Sequence, residues 1–174
     1  PYTELLTGLR ILDPVPAWLP THNHLRTLNT SPKHHLVDPA LALRLLNLTP
    51  QHLLDGNDPD LPIIRDGTFL GALFESLTAL TLRVFAQAAE ANLYHLRTKG
   101  GRQEIDFIIE HPERILAIET KLATTIEDRD LRHLHWLRQT LPHHNVSLAV
   151  ITTGPEAYTR TDGTHIIPLA LLAP

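Results

Sequence analysis

The hydrophobic periodicity of this chain changes once, near Asn92, and that change limits the fold more than any other feature. Residues 68–92, TFLGALFESLTALTLRVFAQAAEAN, repeat at the helical period. Leu70, Leu73, Leu77, Leu80 and Val84 make one apolar stripe. Gly71, Ala72, Ala79 and Leu82 make a second, small-residue face that includes Glu75. A helix apolar on two sides is expected to be buried, and small residues let its backbone approach a sheet closely. After it come NLYHLRTK, EIDFIIE, RILAIETK and NVSLAVITT, which alternate or are apolar and β-branched, as strands are. TTIEDRDLRHLHWLRQTLP separates the last two and is expected to be a helix, with acids in its first turn as the macrodipole favours. NVSLAVITT then has the pattern of a strand buried on both faces and reached by a parallel crossover. THIIPLALLAP adds a short strand and a terminal turn or helix. The expected core is helix, three strands, helix, strand: an α/β domain with a central mixed sheet flanked by helices.

The N-terminal part differs. Residues 1–37 are rich in proline, polar residues and histidine, and are expected to be the tail of a neighbouring unit attached to a domain at 38–174. A short helix is predicted near 3–9 and extended segments near 10–19 and 33–37, joined through THNHLRTLNTSP as a loop or hairpin tip. Asp38-Pro39 predicts a capped helix over ALALRLLNL, Thr49-Pro50 repeats that signature, and residues 55–67 have loop composition.

Composition excludes several functions. Without cysteine there are no disulfides and no thiolate zinc sites. A formal charge of −4 rules out an overtly basic nucleic-acid binder, yet leaves room for a local basic groove at Arg97, Lys99 and Arg102. No run approaches about 20 uninterrupted apolar residues, and no basic-then-apolar leader opens the chain. A cytoplasmic protein with no membrane partner is therefore expected. Methionine is missing even at position 1, which predicts a fragment of a longer protein.

The chemistry concentrates in residues 104–121, EIDFIIEHPERILAIETK. Strand alternation puts Glu104, Asp106, Ile108 and Glu110 on one face, and Ala117, Glu119 and Lys121 on one face of the next strand. With HPER as the hairpin turn, Asp106 and Glu119 come close. Two neighbouring carboxylates repel unless a cation sits between them, and Mg²⁺ favours one or two carboxylates plus water and phosphate oxygens. Lys121 shares that face, where its ammonium would orient an attacking water and offset charge on a phosphoryl oxygen. Metal, carboxylates and lysine are the parts needed to hydrolyse a phosphodiester. Glu75 adds a further acid from the long helix.

Asp, a strand-length gap and Glu-x-Lys resemble the core of the PD-(D/E)XK nuclease superfamily. That resemblance implies a restriction-endonuclease-like fold, catalytic Asp106, Glu119 and Lys121, and a metal (Mg²⁺ or Mn²⁺) on Asp106 and Glu119 with Glu75. The family's proline is absent before Asp106, where Ile105 stands. SPKHHLVDPALALRLL, GALFESLTALTLRVFAQ, YHLRTKGGRQEIDFIIE and AIETKLA further resemble an uncharacterised C-terminal domain of bacterial AAA-type P-loop ATPases. The implied partners are an upstream ATPase module in the same chain, DNA, and further copies through the full-length ATPase. Residues 1–37 then become the tail of a winged-helix-like connector. No GxxxxGK[ST] occurs, so no nucleotide is expected in this fragment.

Plainer readings stand beside these. Asp106, Glu119 and Lys121 also suit a surface ion-pair ladder. Glu75 suits a buried acid with an arginine partner, and Glu104 a solvated strand end. Arg97, Lys99 and Arg102 around Gly100-Gly101 suit an exposed hairpin. The twelve histidines include the pairs His22/His24, His34/His35, His133/His135 and His143/His144, whose spacing suits surface positions. The Thr-Ser-Pro-Lys segment at 30–33 suits a turn. Nuclease chemistry thus has an alternative: a catalytically inactive module that binds nucleic acid or protein in the ATPase assembly.

Overall fold

The computed structural model describes residues 2–19, 31–49, 51, 53 and 68–172. Helix α1 (Tyr2–Gly8) leads into strand β1 (Leu12–Val15), which pairs antiparallel with β2 (Lys33–Leu36). Helix α2 (Pro39–Leu45) starts as its sequence requires: Pro39 lies in the first turn and the Asp38 side chain accepts the Ala40 N–H at 2.9 Å. The predicted loop at 55–67 lies outside the described residues, as does most of the segment after Thr49.

Helix α3 (Thr68–Ala88) is followed by strands β3 (Asn92–Arg97), β4 (Glu104–His111) and β5 (Arg114–Lys121), an antiparallel meander. The β3–β4 turn needs both glycines, since Gly100 and Gly101 have φ of 82° and 67°. A 3₁₀ turn (Asp128–Leu131) and helix α4 (Arg132–Thr140) cross over to β6 (Val146–Thr152), which pairs parallel with β5. Strand β8 (His165–Pro168) extends the parallel part, and the two-residue β7 (Tyr158–Thr159) closes that edge antiparallel. The result is a mixed six-stranded sheet in the order β3-β4-β5-β6-β8-β7.

Each face of the sheet carries a helix. Leu131, Leu134 and Leu137 pack with Ile105, Ile108, Ala117, Leu148 and Val150 on one side; Ala79, Leu82 and Ala86 pack with Phe107, Ile118, Ala149 and Ile151 on the other. By length and composition Phe69–Ala88 would suffice to cross a membrane, but here its small-residue face lies against the sheet. The leucine stripe expected to be buried is not: Leu77, Leu80 and Val84 are 41%, 39% and 56% exposed. Only Leu73 of that stripe is buried. Two apolar faces compete for one sheet, and the smaller side chains win because they permit the closer approach.

Residues 11–18 and β2 are bound into this framework. Trp18 and Val15 are buried in the two core clusters, and Trp18 N–H donates to His95 O at 2.7 Å, covering the β3 edge. Arg83 Nε donates to Asp13 Oδ2 at 2.6 Å, and Leu36 N–H reaches Ser76 Oγ at 3.4 Å. These contacts fix β2 beside α3, with Lys33 at the head of the strand.

Candidate carboxylate and lysine site

Alternation along β4 breaks at the residue that matters most. Tyr94 pairs with Ile108 and Leu96 with Ile105, so two steps on β3 oppose three on β4. This bulge puts Ile105 and Ile108 in one core cluster and Phe107 in the other, which corrects the expected grouping of Asp106 with Ile108. The β4–β5 ladder runs from the His111–Arg114 pair, across the predicted turn, to Phe107–Ile118. Beyond it the carboxylate of Asp106 substitutes for the ladder: Oδ2 accepts the Thr120 N–H at 2.9 Å and the Thr120 hydroxyl at 2.8 Å.

This opening lets both helices reach one hollow from opposite faces of the sheet. A cavity of about 570 Å³ is lined by Glu75 from α3, Glu104 and Asp106 from β4, Glu119 and Lys121 from β5, and His133 from α4. Asp106, Glu119, Lys121 and Glu75 therefore share one site. Arg97, Lys99 and Arg102 are not among its lining residues. Arg97 Nε lies 3.6 Å from Glu104 Oε2 and faces a neighbouring hollow, while the other two belong to the β3–β4 connection.

Glu119 is 6% exposed, and its Oε1 has no hydrogen-bond partner among the described residues. Burial, then the Asp106 charge, push its carboxyl well above the usual carboxylate range, against the pull of Lys121 with Nζ at 3.9 Å. Burial and Asp106 likewise raise Glu75, against the pull of Lys33. A site that makes its own acids hard to ionise is short of positive charge.

Part of that charge comes from a residue the sequence pattern hid. Lys33 Nζ lies 2.5 Å from Glu75 Oε1, 3.4 Å from Asp106 Oδ1 and 3.5 Å from Glu104 Oε1. Burial alone would lower its pKa, but Asp106, Glu75 and Glu104 together raise it above the ordinary lysine value. Lys33 is therefore more than part of a turn: it opens β2 and reaches the acids. Its neighbour corrects a second expectation. His35 is buried rather than exposed, 3.9 Å from Glu75 and stacked at a tilt on Phe107. The outer wall is more polar, and the Glu104 N–H donates to His133 Nδ1 at 3.0 Å.

No three acidic or histidine side chains among the described residues converge as they stand to hold a metal ion. Mg²⁺ does not require three, since it keeps most of its waters and takes one or two carboxylates. Asp106, Glu119 and Glu75 bring carboxylate oxygens, the donor type such an ion takes, to one cavity, and the buried Glu119 Oε1 has no hydrogen-bond partner among the described residues.

Comparison with known families bears on the same region. A family described as a domain of unknown function, DUF4143, matches residues 70–172, more than half of the chain. The chain belongs to that family. No curated protein matches it. The DUF4143 match runs from α3 to the end of the sheet, so it includes Glu75, Asp106, Glu119 and Lys121 and leaves Lys33 outside. The family's description assigns no activity, and the chemistry of the cavity has to be argued from its side chains.

Proposed function

We propose that this DUF4143 domain is a PD-(D/E)XK-type, restriction-endonuclease-like module that hydrolyses phosphodiester bonds of DNA with a divalent cation. In this reading it is the cytoplasmic C-terminal part of a bacterial AAA-type ATPase, which assembles through the whole protein. One observation carries the reading: Glu75, Asp106, Glu119 and Lys121 line a single cavity at the opening between β4 and β5, with Glu119 Oε1 buried and without a hydrogen-bond partner among the described residues. Asp106 and Glu119 would hold Mg²⁺ or Mn²⁺, with Glu75 as a further ligand. The ion's contribution, when bound, is to neutralise the acids and polarise a phosphoryl oxygen.

The remaining work falls to the chain. Thr120 holds the Asp106 carboxylate in place through two hydrogen bonds. Lys121 orients the attacking water. The attacking water gives a proton to bulk solvent as its oxygen bonds to phosphorus, the bond to the leaving strand breaks, and the leaving oxygen takes up a proton from solvent. Incubation of supercoiled and linear DNA with the protein and Mn²⁺ tests the reading. Cleavage is expected, and is expected to disappear in Lys121→Ala and Asp106→Ala variants that retain the parent's circular dichroism. Equal cleavage by parent and variants, or none by the parent, defeats it.

A second reading is favoured by Lys33, whose ammonium neutralises the acids without any metal. It takes the domain as an inactive module that binds nucleic acid or protein, and it expects affinity that survives Asp106→Ala.

A further inference from the structure

Lys33 is only 27% exposed and brings three N–H donors to three carboxylates on two different elements, α3 and β4. Asp106 is thereby engaged at both carboxylate oxygens. Its Oδ2 already accepts two bonds from Thr120, and its Oδ1 faces Lys33. A hard divalent cation seeks the same oxygens. The two cations cannot both hold Asp106 Oδ1 at close range, because like charges that near repel strongly in a partly buried site.

The lysine has somewhere else to go. Beside the acidic cavity lies a second hollow of about 280 Å³, lined by Ser31, His34, His95, Arg97 and by Lys33 itself. Glu104 lines both hollows. A lysine stem is long and flexible, so the ammonium can swing off Glu75 and Asp106 and stay on Glu104 while β2 keeps its place. The strand cannot easily follow, being held by the pairing with β1 and by the Leu36 contact with Ser76.

We infer that Lys33 is the resident cation on Asp106 and Glu75, and that a divalent metal binds by displacing it from these two acids toward Glu104. Lys33 is a positioning residue in this scheme. It keeps the acids paired when no metal is bound and sets the apparent metal affinity, since a ligand's affinity falls by the fraction of sites that are competent to take it. The inference rests on the cavity's being a cation site, as proposed above, but not on hydrolysis.

Isothermal titration of the chain with Mn²⁺, as wild type, Lys33→Met and Lys33→Arg, tests it. Lys33→Met keeps the length of the side chain and removes the charge, so Mn²⁺ should bind roughly tenfold tighter or more. Lys33→Arg keeps the charge and should stay as weak as wild type. Wild-type binding with equal or weaker binding by Lys33→Met overturns the role of Lys33 and leaves the metal site standing. No binding by any of the three overturns the metal site, and the competition with it. Amine labelling of the wild-type protein, read by mass spectrometry, gives an answer even if Lys33→Met fails to fold. Mn²⁺ should increase labelling of Lys33, whereas an unchanged or reduced rate overturns the displacement.

Discussion

At the scale of single residues the site is a problem of unbalanced charge, and His35 shows what it does to stability. Burial, then the positive charge of Lys33, lower the His35 pKa to about 4, although Asp106 pulls the other way. The charged or titratable groups facing it are Lys33, Glu75, Asp106, His95 and Arg83. In the unfolded chain the ring titrates near 6.5, so between that value and about 4 the unfolded state binds the extra proton. Its contribution to stability is therefore full above pH 6.5 and is lost as the pH falls through 4. The shift corresponds to roughly 3 kcal/mol. His35→Gln has no ring to protonate. Urea unfolding of both proteins from pH 7.5 to 4.5 should show wild type losing stability faster than the variant. Parallel curves would mean that His35 is already charged, or solvated, in the fold.

At the scale of elements, α3 and β4 show where a pattern can be read and where it cannot. The succession of elements from α3 to β6, the hairpin at Pro112-Glu113 and the α4 crossover to β6 follow from local periodicity and turn chemistry, so they were legible. That Glu75, Asp106, Glu119 and Lys121 could approach one another was legible too, because their spacing depends on neighbouring elements. The β4 bulge was not, since one extra residue in a ladder leaves no mark in an alternating string. The burial of α3 was misjudged for a similar reason: hydropathy ranks Leu above Ala, whereas close packing on a sheet favours the smaller residue. This has a measurable consequence. Leu82→Ala, in the buried face, should cost about 2–4 kcal/mol through the cavity it leaves. Val84→Gln, on the exposed face, should stay within about 0.5 kcal/mol of wild type. Chemical denaturation decides it, and reversed costs would mean that the leucine stripe is the buried one.

At the scale of the whole molecule, the question is whether residues 1–37 are an attachment or a part of the folding unit. Lys33 could not be read from the sequence as a site residue because it lies 73 residues before Asp106, beyond any local pattern. The same distance makes the chain cooperative. Val15 and Trp18 fill the two sheet cores, the Trp18 indole N–H donates to Glu110 Oε1 at 3.0 Å, and Asp13 pairs with Arg83. A chain beginning at Asp38 would lose the three buried side chains of Val15, Trp18 and His35, uncover the β3 edge beyond Trp18, and leave Glu75 and Asp106 without Lys33. Losing the tryptophan alone is worth about 3–5 kcal/mol, a large part of the 5–15 kcal/mol that typically holds a domain together. The truncated chain should accordingly unfold at much lower urea concentration than the full one, and its open β3 edge should favour association. Mn²⁺ should add more stability to the truncated chain than to the full one, because no ammonium then competes for the acids. An unchanged urea midpoint would make residues 1–37 a mere appendage, and would remove Lys33 from any account of how the acids are kept together.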